Sequence, residues 1–64
     1  MNTTLKMKDL KISVKNLIKR TTVNSTSENR NYRCQKYDNK VFVAAIGLDG
    51  RCQEWIEIID YKEI

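Results

Sequence analysis

Few side chains in this sequence are equipped for covalent or acid–base chemistry. There is no histidine, and the cysteines are two, Cys34 and Cys52. Without an imidazole, no side chain has an ordinary pKa near neutrality for general acid–base work. A tetrahedral zinc site needs about four nitrogen or sulfur ligands, and no CxxC pair begins one. Glu54, Glu57 and Asp60 form a run of carboxylates that fits a solvated strand edge better than a catalytic pair. Cys34 stands between Arg33 and Gln35, whose side chains on a strand project from the opposite face and leave the thiol without an activating cation. The sequence therefore predicts a non-enzymatic protein with no catalytic residue, no metal site and no cofactor.

What remains is electrostatic. Lys8, Lys11, Lys15 and Lys19 recur at spacings of three, four and four, which on a helix confines them to an arc of about 80°. Phosphates attract such a row regardless of base sequence. Arg20 continues it, and Arg33 and Lys36 extend the basic surface if the following hairpin lies near the helix end. The net charge of +4 conceals a division: residues 1–40 hold ten basic and three acidic side chains, residues 41–64 two basic and five acidic. Solubility alone requires no such segregation.

The elements that must position these residues follow from periodicity. Met7, Leu10, Val14, Leu17 and Ile18 recur on the flank beside the lysines, so the spacing predicts one amphipathic helix over about residues 4–20, with Thr3 or Thr4 as its cap and Lys19 and Arg20 at its negative end. A strand through Leu10, Ile12 and Val14 is the competing template and explains fewer apolar positions. Residues 21–31 are rich in Thr, Ser and Asn and read as a polar connecting loop.

From about residue 32 to residue 60 the pattern changes to three strands, Tyr32 to Tyr37, Val41 to Leu48 and Arg51 to Ile59. Asp38-Asn39 and Asp49-Gly50 separate them, and both dipeptides tolerate the positive φ of tight hairpin turns. Two-residue turns place Val43 opposite Cys34 and Ile56, with Val41 opposite Ile58. A three-residue loop at Asp49-Gly50 shifts that register by one. With two-residue turns the other side of the sheet carries Arg33, Ala44 and Trp55 in one row, inviting an Arg33–Trp55 cation–π pair, and Gln35, Phe42 and Glu57 in the next. The cysteines fall two strands apart, about 15 Å, beyond disulfide reach, and are expected as reduced, partly buried thiols. The expected fold is α+β: a single small domain over residues 1–64, one N-terminal amphipathic helix packed on a three-stranded antiparallel meander, in the order α-β-β-β.

The longest apolar run, Val41 to Ile46, is six residues, against about 20 for a membrane span. With no secretory signal pattern either, a cytoplasmic setting is expected. The leading functional expectation is a small binding protein whose basic helix, through Lys8, Lys11, Lys15, Lys19 and Arg20 with Arg33 and Lys36 as secondary contacts, engages nucleic acid or a nucleoprotein. The alternative is an inhibitor or adaptor of phage or mobile-element type that docks on a host or defence protein. Its contact face would be Phe42 and Trp55 as apolar anchors with the acidic Glu54, Glu57 and Asp60. A homodimer pairing the basic helix with the acidic sheet edge, or burying Ile12 and Leu5, is a third arrangement.

Overall fold

The structure, a computed structural model, describes residues 3–38 and 40–61. In chain order the elements are β1 (Thr4–Leu5), a 3-10 turn (Met7–Asp9), α1 (Ile12–Arg20), β2 (Ser25–Glu28), β3 (Tyr32–Tyr37), β4 (Lys40–Ala45) and β5 (Ile56–Ile58). One α-helix lies on a five-stranded mixed sheet of order β1-β5-β4-β3-β2, in which only β1 and β5 run parallel. The α+β class is as expected, but the sheet has five strands in place of three and the helix is about half the expected length.

Alternation decides the centre of the sheet. Cys34 lies opposite Val43, and Val43 opposite Ile56, the pairings expected from the sequence. Cys34, Val41, Val43 and Ile58 thus share one face, where Val14, Leu17 and Ile18 of α1 cover them in a single core. Those three helical positions follow the i, i+3, i+4 rule and are the buried ones of α1. The helix stops at Thr21, whose backbone is extended and whose buried hydroxyl donates to the Leu17 carbonyl at 2.7 Å.

The chain before Ile12 departs from the expected helix because its backbone groups find partners in the sheet. The carbonyls of Thr3 and Leu5 accept from the amides of Glu57 and Ile59, each at 3.1 Å. The Met7 amide donates to Asp60 Oδ1 at 2.7 Å, so the 3-10 turn is capped by a side chain 53 residues away. Thr4, a candidate helix cap, lies in β1, and the residue preceding α1 is Lys11 with no side-chain cap. Met7 and Leu10 still pack on the core, as their spacing required, but from a 3-10 turn and an extended link.

The polar segment after the helix is also more ordered than a loop. Ser25 to Glu28 pair in register with Lys36 to Arg33 as an edge strand. Asn29 Oδ1 accepts from the amides of Asn31 and Tyr32 at 2.9 and 2.7 Å and closes the turn between β2 and β3. β3 and β4 close with Tyr37 opposite Lys40, and Asp38 takes the positive φ (44°) foreseen for that turn; Asn39 lies outside the described residues.

The hairpin after β4 has a three-residue loop, Leu48 to Gly50. Gly50 donates to the Gly47 carbonyl at 3.0 Å, Gly47 donates to that of Arg51 at 2.8 Å, and Gly50 has φ 81°. A type I turn followed by a left-handed glycine produces this geometry. It sets Ile46 opposite Cys52, one residue out of step with Val43 opposite Ile56. One extra residue between Cys52 and Ile56 therefore bulges out and restores the register. The expected strand over Arg51 to Ile59 is broken there and is regular only over Ile56–Ile58.

Replacing Asp60 by Ala should lower the unfolding free energy by about 1 kcal/mol, because the Met7 amide loses its cap. A lower urea midpoint with an unchanged slope is the expected reading. An unchanged midpoint would show that the cap contributes nothing.

Candidate functional site

Each expected contact residue can now be placed. Lys8 is exposed on the 3-10 turn, and Lys11 is exposed at the start of α1. Lys15 and Lys19 occupy one flank of α1 a turn apart, the first half-buried and the second exposed, beside the outward-pointing Ile12. The four lysines therefore do not form one helical ridge; two belong to the helix and two to the segment leading into it.

Arg20 and Arg33 converge on one residue. The Arg20 guanidinium donates to the Glu28 backbone carbonyl at 2.7 Å, and that of Arg33 meets the Glu28 carboxylate at 3.3 Å. Arg33 does so from the side of the sheet facing away from α1, since it alternates with the buried Cys34. It cannot join the helical lysines in one surface. The anticipated Arg33–Trp55 pair is replaced, among the described residues, by a contact of Lys36 with Tyr61.

Lys36 is the clearest correction, because it is only 2% exposed. Its place on β3 is in phase with Tyr32 and Cys34, opposite Val41, so the strand directs it into the core. Its ammonium donates to the Tyr61 hydroxyl at 2.8 Å and lies 4.7 Å from the ring centroid. With the hydroxyl so much nearer than the ring, the hydrogen bond is the main interaction. Sequence reasoning missed this cluster, although the period-2 alternation of Tyr32, Cys34 and Lys36 carried the signal.

Cys34 shares that polar pocket within the core. Burial pushes its thiol up from the ordinary value, partly offset by hydrogen bonding with Thr21 and by the charge of Lys36. Cys34 is therefore a buried neutral thiol. Both cysteines are free, with Cys52 half-buried near the hairpin loop.

The remaining expected residues lie on or near the outer face of the sheet. Phe42 and Glu57 are directly paired and half-buried, and Tyr37 packs edge-on against Phe42 with centroids 6.4 Å apart. Trp55 is half-buried and Glu54 exposed in the irregular stretch before β5. Asp60 is occupied as the cap of Met7, a structural role the sequence did not suggest. The 3-10 turn and α1 both pack on the opposite, core face, so no described helix covers this one.

Charge follows the layers. From Thr3 to Thr21, the segment that covers the sheet, six basic side chains stand against the single acid Asp9. From Thr22 to Tyr61 five basic side chains, one of them the buried Lys36, stand against six acids. The ion pairs among the described residues are Arg33–Glu28 and Arg51–Asp49. Lys6, Lys8, Lys11, Lys15 and Lys19 take part in neither.

A comparison with protein-family models, curated proteins and solved structures finds no match. The described residues show no metal-ligand cluster and no helix long and apolar enough to cross a membrane.

Tyr61→Phe should cost about 2 kcal/mol, because the buried ammonium loses its hydrogen-bond acceptor. In a Lys36→Met background the same change should cost almost nothing, a coupling measurable by a double-mutant cycle in urea. Additive costs would show that the two side chains do not interact.

Alkylation should modify Cys52 rapidly and Cys34 only through opening of the fold. A thiol raised on folding adds stability that is complete below its unfolded pKa and is lost as the pH rises through the folded one. Melting temperature should therefore drop on the alkaline side, by less in Cys34→Ala than in the parent.

Proposed function

We propose that this chain is a small non-enzymatic binding protein that holds nucleic acid by its phosphates on the layer built from the 3-10 turn and α1. The observation that carries this reading is the segregation of charge by layer, with five lysines outside every ion pair among the described residues. Lys8, Lys11, Lys15 and Lys19 are the contacts, and Lys6 joins them. Arg20 is held by the Glu28 carbonyl and adds its charge without being free to reorient. Arg33 and Lys36 fall away, the first for its side of the sheet and the second for its burial.

Lysines placed on a helix flank and on the turn before it supply point charges rather than a fork matched to base edges, so the expected mode is phosphate positioning with little base discrimination. A second reading is favoured by the outer sheet face, where Tyr37 packs on Phe42 without a covering helix, with Trp55 half-buried in the stretch before β5. That face suits docking on a host or defence protein, with the aromatics as anchors and Glu54 and Glu57 at the rim.

Fluorescence anisotropy with short single- and double-stranded DNA and RNA separates the two readings. Affinity should fall steeply with salt, and each lysine removed should lower the log–log salt slope by about one. Lys11→Glu, Lys15→Glu and Lys19→Glu together should abolish binding, while Phe42→Ser leaves it unchanged. Affinity indifferent to salt and to the triple substitution would overturn the nucleic-acid reading.

A further inference from the structure

Leu48 is the most anomalous apolar side chain of the described residues, at 112% relative exposure. It sits on the first position of a loop closed by the Gly50–Gly47 and Gly47–Arg51 backbone bonds and by Asp49 Oδ1 accepting from the Arg51 amide at 3.1 Å. A leucine on a loop whose backbone is already hydrogen-bonded requires little further ordering of that loop on insertion into a partner.

A receptor for it exists in the same fold. Because α1 begins only at Ile12, the core face near β5 is incompletely covered, and a cleft of about 210 Å³ opens there. Leu5, Leu10, Val14, Val43 and Ile56 line it. An apolar cavity of about 150 Å³ already holds a benzene ring, so this cleft accommodates a leucine side chain. Asp9 and Lys11 also line it. The tip presents Asp49 and Arg51 on either side of Gly50; Asp49 Oδ1 accepts from the Arg51 amide, but the two charged groups come no closer than 4.0 Å and both side chains are largely exposed. Asp49 matches Lys11, and Arg51 matches Asp9.

We propose that Leu48 inserts into this cleft on a second copy of the chain, and that the exchange is reciprocal. The tip springs from the end of β4, and the cleft includes Ala45, the last residue of that strand, together with Ile56, the first of β5. Tip and cleft therefore belong to the same end of the molecule. A two-fold axis at that end brings each tip to the other copy's cleft and closes the assembly at two subunits, with no open filament. This inference concerns the free protein and does not rest on the nucleic-acid reading, although Lys11 serves in both.

Sedimentation in nucleic-acid-free buffer, from micromolar to millimolar chain, tests it. The mass should rise with concentration to twice that of the chain. Leu48→Asp should weaken dimerisation about 30-fold or more, the loss typical of a central anchor, while its thermal unfolding at low concentration matches the parent. In a dimer of mixed isotope labelling, intermolecular nuclear Overhauser effects should join the Leu48 methyls to those of Val14 and Ile56. A mass independent of concentration, a dimer undisturbed by Leu48→Asp, or intermolecular effects confined to another surface would each overturn the proposal.

Discussion

A nine-residue helix has to cover one face of a five-stranded sheet, and most of the structure follows from that mismatch. Such a helix is about 14 Å long, whereas five strands span about 19 Å between the outer ones. α1 packs most closely over β3 and β2. The side of the sheet toward β5 and β1 is left to Leu5, Met7 and Leu10, carried by a segment that is not regular helix. That segment satisfies only part of its backbone internally and borrows the rest from the far end of the chain: the carbonyls of Thr3 and Leu5 accept from the amides of Glu57 and Ile59, and Asp60 caps the Met7 amide. The cleft beside Val14 is where this improvised cover falls short.

The same strictness of register that builds the core also forces a lysine into it. Once Cys34 and Val43 are opposed on the covered face, Lys36 has no other direction to point. An unpaired buried ammonium is costly, and Tyr61 supplies the hydroxyl that meets it. The bond joins β3 to the chain beyond β5, across two strand positions of the sheet. Lys36 is thereby removed from the basic surface that its sequence neighbourhood suggested, and becomes a fastening for the segment that also supplies Asp60.

What could be read from the sequence was the part in which local and global signals agree. β3 and β4 combine alternation with a turn dipeptide that allows positive φ, and their register was legible to the residue. The helical stripe was legible in a different sense. Met7 and Leu10 were rightly marked for burial, but an apolar period reports which side chains are covered, not which backbone carries them, and the sheet edge competed successfully for residues 3–5. β2 left no hydrophobic signal because an edge strand of Ser, Thr, Ser and Glu is held by its backbone ladder and by polar contacts of Ser25 and Glu28. Of the candidate site, Lys15 and Lys19 were placed correctly on a helix flank. Arg33 was separated from them by the alternation that also placed Cys34.

The position of the lysines along the helix bears on why they are there. The positive end of the helix dipole lies at Ile12, where acidic side chains stabilise and basic ones do not. The first turn of α1 has no acid, and Lys11 and Lys15 stand at that end; Lys19 and Arg20, at the other, are favourably placed. Two of the layer's six basic side chains thus work against the helix that carries them, and Asp9 is the one acid between Thr3 and Thr21. Lysines serving only to keep the chain in solution would do so equally well on the sheet, at no cost to α1. A polyanion laid along the layer removes the repulsion among the lysines and opposes the dipole's positive end at once. On this argument, the electrostatic strain of the free helix and the proposed affinity for phosphate have the same cause.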